Sequence, residues 1–511
     1  MLLQETILCA TAPTNPTAGS GSIFLHDIQT GATLASFKQT NAGPHSLATL
    51  KSKSTQGGFI LASQPDKSIM NVYNFQKDQI SLKIVLPEKL TCIALDHRGD
   101  FCAGGTAAGR IYLWETASGI MYSSWDAHYR QVNVLRFTND GAALISGSDD
   151  SGVSVWSVSR LVDDDTQNEP IVPYCTLSDH TLPVTDIICG IGVFPDCRVL
   201  TSSVDHSVKL WDLSSKTLLT TFQFPQAITH IAWDVTERLF FAASSDGSIH
   251  QVNMFRERES KLGGIVTEAV GGAGVTDVIR IDDDATREAR KKRLIRVGQP
   301  IASICISLTS TILLVGTAEG SIHLYDVPSH QLLRTISSHK GLSIAHLETM
   351  IKPPDLIGHT SLELRPGSVA DVKDFIPLKP VAPFQRMRDL KARDAHEVSA
   401  LLPVGNIAYI DESADYDEAE FLQDYNFFFQ PQASSQGTNT DPSTLKSQVS
   451  ALEAEVESLR QQLSKAKGIN DAMWDTVVNR LVSQEKDAEQ PSKEPEESDQ
   501  AERRRKRSRP A

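Results

Sequence analysis

Two groups of side chains have the types that nucleophilic catalysis uses: His128 with Ser148 and Asp150, and His180 with Ser203 and Asp205. A histidine that takes a serine proton, oriented by a carboxylate, would support acyl transfer. Each set lies inside a repeated segment whose other copies lack it, so a structural role is expected for both. The seven cysteines, Cys9, Cys92, Cys102, Cys175, Cys189, Cys197 and Cys305, form no C-x-x-C pair. Most sit in apolar, strand-like runs, which reads as buried free thiols in a reducing compartment. HEVSA at His396 lacks the second histidine of a zinc-binding helix, and there is no P-loop, metal-spaced His/Cys cluster or dinucleotide fingerprint. The runs Asp163–Asp165 and Asp282–Asp284 read as solvated. No catalytic, cofactor or metal residue is therefore expected.

The elements around these residues repeat. SVKLWDL (Ser207 to Leu213), RIYLWET (Arg110 to Thr116), GVSVWSV (Gly152 to Val158) and SIHLYDV (Ser321 to Val327) share one pattern, with weaker copies at Ser22, Ser68 and Ser248. The tryptophan position is filled by His26, Val72, Trp114, Trp156, Trp211, Val252 and Tyr325, at intervals of 46, 42, 42, 55, 41 and 73 residues. Four of these intervals fit the ~40–45-residue period of a four-stranded propeller blade. The two long ones hold insertions at 161–173 and 256–297, expected as surface loops. Inside each copy apolar residues alternate, as in a strand: Val208 and Leu210 point one way, Lys209 and Trp211 the other. Six residues before the tryptophan position stands Asp66, Asp150, Asp205, Asp246 or Glu319, a turn residue able to bind backbone amides.

This pattern resembles the WD-repeat family. The resemblance implies a buried hydrogen-bonded network in a blade, here His180, Ser203, Asp205 and Trp211, with a second set of His128, Ser148, Asp150 and Trp156. The N-terminal segments Thr6–Ala12, Ser22–Ile28 and Ala32–Phe37 supply three strands with none before them. SSHKGLSIAHLETM (Ser337 to Met350) reads as an inter-blade histidine followed by a further opening strand. Ser343–Met350 is therefore expected to complete the first blade. The predicted fold is all-β: a seven-bladed propeller over residues 1–351, closed so that its sheet edges are protected.

Beyond it, residues 352–440 form an extended, Pro-rich and then acidic–aromatic linker. Tyr416, Phe421, Tyr425, Phe427 and Phe428 are interleaved there with acids and are candidate docking residues, on a partner or on the propeller itself. Residues 441–485 read as coiled-coil helices. Leu445, Val449, Leu452, Val456, Leu459 and Leu463 alternate by four and three, a heptad seam suited to a parallel homodimer, with packing on its own chain as the alternative. Residues 486–511 have the composition of disorder and end in a basic run, Arg503, Arg504, Arg505, Lys506, Arg507 and Arg509, of the kind read by nuclear import receptors or nucleic acid.

Taken together, MLLQETILCAT, the SVDHSVKLWDL blade and the LEAEVESLRQQL…MWDTVVNRLV tail resemble the family of WD-repeat subunits of the fungal Rix complex, whose animal relative is WD-repeat protein eighteen. The resemblance covers about residues 1–485. It implies a nuclear, non-enzymatic scaffold in large (60S) ribosomal subunit biogenesis that supports removal of internal transcribed spacer 2. The implied partners are the helical-repeat Rix subunit, a further involved-in-processing subunit, an AAA-type remodelling ATPase and the pre-60S particle. A chromatin or replication-licensing adaptor and a ubiquitin-ligase substrate receptor are the alternatives. Lys plus Arg is 49 against 63 Asp plus Glu, a net charge of −14, which argues against coating RNA with the whole surface but permits a short cationic tail. No stretch approaches 18 uninterrupted apolar residues, so no membrane partner is expected. The N-terminus lacks a basic n-region, so no secretory signal is expected either.

Overall fold

The computed structural model of the chain describes residues 4–14, 20–38, 40–53, 56–163, 170–259, 265–269, 277–281, 294–356 and 378–389, together with 454, 456–465 and 467. The chain divides into two units, Met1–Asn406 and Ile407–Ala511.

In the first unit the alternating segments pair as antiparallel meanders and make seven sheets in a ring. Blade 2 runs Leu47–Leu50, Phe59–Ser63, Ile69–Asn74 and Ile80–Val85, from the axis outwards. Blades 3 and 7 follow the same plan, starting at Leu90–Leu95 and Ile301–Ile306. Seven apolar clusters hold the ring, each at a seam between neighbouring blades. Phe59 and Leu61 of blade 2, for example, pack with Leu90, Cys102 and Trp114 of blade 3. Every blade is thus half of two cores, which removes apolar faces on both sides of each sheet from water.

The ring closes as the sequence predicts. Leu342–Ile351 takes the inner position of blade 1 and pairs antiparallel with Glu5–Pro13, from Glu5↔Ile351 to Pro13↔Leu342. Ser22–Asp27 and Thr33–Lys38 complete that blade.

The second insertion departs from expectation, because much of it is not loop. Leu294–Arg296 pairs with Ser248–Asn253 as the outer strand of blade 6, and Ile295 is buried in the seam with blade 7. Val278–Arg280 adds a fifth strand to blade 5, parallel to Thr217–Gln223. Phe255–Glu259 and Ile265–Ala269 form a hairpin. Blade 6 needs an outer strand to satisfy the edge of Ser248–Asn253, and the chain returns after about forty residues to provide it. At the first insertion, Val158–Val162 is a short helix whose Leu161 is buried, and Cys175–Leu177 is the outer strand of blade 4.

In blades 3 to 7 the turn before the third strand is tight. Five residues ahead of the tryptophan position stand Gly109, Ser151, His206, Gly247 and Gly320, all with φ between 65° and 90°. At Gly320 a Cβ would lie 1.9 Å from the His339 carbonyl oxygen, so glycine is required there for space as well as conformation.

In the second unit, residues 456–465 are helical. Among the described residues no helix is long and apolar enough to cross a membrane.

Candidate functional site

In blade 5, His180, Asp205 and Trp211 meet around a hydroxyl, but that hydroxyl belongs to Thr201. Trp211 Nε1 donates to Thr201 Oγ1 at 2.9 Å, and Thr201 Oγ1 lies 2.8 Å from His180 Nε2. Since the hydroxyl accepts from the indole, it donates to Nε2. The imidazole proton then sits on Nδ1, 2.9 Å from Asp205 Oδ2. Ser203 turns elsewhere: its Oγ donates to the Leu182 carbonyl at 2.9 Å and accepts from the Asp205 amide. Blade 4 repeats the arrangement. His128 Nε2 lies 2.7 Å from Ser146 Oγ, which accepts from Trp156 Nε1 at 3.0 Å, while Ser148 Oγ donates to the Arg130 carbonyl. Ser203 and Thr201, like Ser148 and Ser146, are two residues apart on a strand and share one face. The diagonal reach of the indole across the strand pair selects the earlier of the two.

Both groups are enclosed within their blades. His180 and Thr201 are buried, and the imidazole lone pair that would activate a nucleophile is held by a threonine. Burial would raise the Asp205 carboxyl, but the hydrogen bond and charge of His180, with help from Ser207 and the Thr181 amide, hold it well below the usual carboxylate range. The same opposition, led by the Gly152 amide and the His128 charge, keeps Asp150 low.

Blade 3 resolves the problem differently. Gly104 stands where blade 5 has Thr201, so Trp114 has no hydroxyl to bind. Its Nε1 donates instead to the Gln385 carbonyl at 3.0 Å. Gln385 belongs to the Pro-rich extension, whose residues 378–389 lie along blades 2 and 3. Phe384 stacks on Trp114 with ring centroids 5.2 Å apart, the Ala382 and Gln385 amides donate to the Thr116 and Gly119 carbonyls, and Lys379 Nζ reaches Asp100 at 2.6 Å. The extension is therefore part of the propeller body here. Phe384→Ala should loosen it by about 3 kcal/mol. The expected readout is amide exchange at Ala382 and Gln385 roughly a hundredfold faster, with the other blades unchanged.

The turns that carry this docked segment lie on one face of the ring. On the same face the turns between the first two strands of blades 5, 6 and 7 are uncovered and apolar: Ile191, Val193, Val235 and Leu308 are 57, 65, 52 and 40 % exposed. Glu237 binds the Ile191 amide and Ser310 binds Asp234, tying neighbouring turns into one rim. Such a rim, positioned by rigid strands, suits protein contact.

The axial cavity, about 390 Å³, has mixed charge. Arg136 lies 3.6 Å from Asp186, and Lys51 lies 3.3 Å from Glu348. Burial opposes the Glu348 charge, but His346 and Lys51 outweigh it and bring the carboxyl down to about 2. Among the described residues that line the cavity, Arg136 faces a carboxylate, and Lys51 reaches Glu348 from beside it, an arrangement without the unpaired positive charge that phosphate recognition needs.

Of the seam residues, Val456, Leu459 and Leu463 fall in the described helix and are 49, 57 and 73 % exposed. Leu445, Val449 and Leu452 lie outside the described residues, as do the aromatic residues at 416–428 and the basic run at 503–509. All seven cysteines are free, four of them buried. The structure also brings together Cys9, His26 and His339, a cluster that spacing along the chain does not reveal.

Residues 119–157, 171–212 and 216–252 match the family described as "WD domain, G-beta repeat". Over 573 aligned residues the chain is 32% identical to "Pre-rRNA-processing protein IPI3" of Mycosarcoma maydis, an alignment that takes in 94% of this chain and 97% of that protein. It is 34% identical to the protein of the same name in Yarrowia lipolytica, across 61% of this chain and 69% of the relative. It is 30% identical to human "WD repeat-containing protein 18", across 75% of this chain and 78% of the relative.

Proposed function

Since the chain belongs to the WD-repeat family of pre-rRNA-processing proteins, we propose that it is a non-catalytic scaffold subunit acting in the nucleus on maturing large ribosomal subunits. The observation that carries this reading is the span of the likeness: the alignment takes in 94% of the chain and so extends well beyond the ring. Propellers as a class serve too many ends to decide it.

In this role the protein works within a Rix-type complex that supports removal of internal transcribed spacer 2. Its partners are the helical-repeat Rix subunit, a further involved-in-processing subunit and an AAA-type remodelling ATPase on the pre-60S particle. The exposed rim of Ile191, Val193, Val235 and Leu308 offers a partner an apolar contact, and the paired charges of the axial cavity favour protein over RNA as the ligand. The exposed seam of Val456, Leu459 and Leu463 supports self-association, and the basic run at 503–509 supports nuclear import.

Affinity purification of the tagged full chain tests the proposal. The expected result is recovery of large-subunit precursors with a helical-repeat partner. Removing Arg503–Arg509 should lower both that recovery and the nuclear signal. Enrichment of replication-licensing factors, or of a cullin adaptor, without ribosomal proteins would overturn the reading.

A further inference from the structure

The closure of the ring contains a variant of the blade network in which every member but the inter-blade histidine has changed type. His339 stands where blade 5 has His180, in the segment before the opening strand. His26 occupies the tryptophan position, and Cys9 occupies the position of Thr201: His26 pairs with Ile7, and Cys9 is the diagonal neighbour two residues on, as Thr201 is of Trp211. The position of Asp205 is Ser20, so no carboxylate orients His339.

The result is a converging set of donors. His26 Nε2 and His339 Nε2 face each other at 2.9 Å, and Cys9 Sγ lies 3.9 Å from His339 Nε2. The three ligand atoms are all within 4.8 Å of one another, and all three residues are buried. Ser338 Oγ stands 3.2 Å from the same His339 nitrogen, and Thr33 Oγ1 lies 3.3 Å from His26 Nδ1. Around a tetrahedral zinc ion two imidazole nitrogens are about 3.3 Å apart, and a nitrogen and a thiolate about 3.6 Å. The His26–His339 and Cys9–His339 separations differ from these by a few tenths of an ångström, and Cys9 and His26 are within 4.8 Å. Outer partners that fix the ring, as Thr33 does for His26, are a usual accompaniment of metal-binding imidazoles.

We propose that Cys9, His26 and His339 form a site for a divalent, thiolate-tolerant metal ion of the zinc class, with the Ser338 hydroxyl or a water as fourth ligand. One thiolate and two imidazoles suit zinc over magnesium or calcium, which take oxygen ligands. Binding exchanges the thiol proton of Cys9 for the metal and releases it to solvent. Because Cys9 and His26 come from the N-terminal strands and His339 from the segment after blade 7, the ion joins the two ends of the propeller where no covalent bond does.

The other blades supply the control. Cys9→Ser puts in the hydroxyl that Thr201 and Ser146 already provide, so it preserves a purely hydrogen-bonded network while removing the thiolate. The full chain, purified without added chelator, is expected to hold about one zinc. After chelation, Co²⁺ should give a thiolate-to-cobalt charge-transfer band with tetrahedral visible bands. Cys9→Ser should abolish that band and weaken zinc binding at least ~10-fold, and chelator should lower the unfolding temperature of the native chain but not of the variant. Metal-free native protein with no cobalt band, or equal zinc binding by the Cys9→Ser chain, would overturn the site and leave a neutral histidine pair.

Discussion

Replacing Leu452 and Leu459 by Asp should convert the full chain from dimer to monomer, read as a halving of mass by light scattering. The four-and-three spacing of apolar residues from Leu445 to Leu463 predicts a seam along one helix face, and in the described helix at 456–465 Leu459 and Leu463 are more than half exposed. Two leucines per chain are four per dimer. At about 2 kcal/mol for each buried side chain, their loss removes about 8 kcal/mol from association, before the further cost of bringing carboxylates into an apolar seam. A seam of three heptads has little surplus to absorb that, since short isolated helices are marginal in water. An unchanged mass would show that this face packs on its own chain.

The second large effect concerns the blade networks, where neighbouring hydroxyls have unequal weight. Thr201→Val keeps the volume and removes the oxygen, leaving Trp211 Nε1 and His180 Nε2 without partners inside the seam between blades 4 and 5. Each abandoned buried group costs about 1–3 kcal/mol, so a loss of about 3 kcal/mol in unfolding free energy is expected. Ser203→Ala removes contacts to two backbone groups in a partly buried turn and should cost about 1 kcal/mol. Denaturant melts of the two variants check the order. Equal losses would mean that the network does not turn on Thr201.

That contrast marks where sequence reasoning succeeds and where it stops. The alternation around Trp211 and the recurrence of its neighbours are strong periodic signals, and they lead to seven blades and to Ser343–Met350 as the closing strand. Choosing between Thr201 and Ser203 needs the cross-strand register, because both are small hydroxyl residues on the same face of one strand. Leu294–Arg296 is only three residues long, so it carries too little alternation to stand out from its charged surroundings. The docking of Phe384 on Trp114 depends on a missing side chain at Gly104, 280 residues earlier, which no local pattern encodes. The cluster of Cys9, His26 and His339 is dispersed along the chain in the same way. His26 and His339 are legible as the tryptophan-position and inter-blade residues of their repeats, but Cys9 becomes their neighbour only through the pairing of Glu5–Pro13 with Ser22–Asp27.

The closing strand also sets an order of events on the ribosome. Glu5–Pro13 is made roughly 330 residues before Leu342–Ile351, the strand that covers its inner edge. At about 5–20 residues per second, that edge waits on the order of 20–70 s after it leaves the exit tunnel, while blades 2 to 7 have all their strands to hand. Ile7 and Cys9, which pack against blade 7 in the finished protein, lack that cover for most of the interval. Glu5–Pro13, paired on one side with Ser22–Asp27, therefore keeps one open strand edge, the kind of surface that invites wrong pairing, until synthesis reaches Ile351.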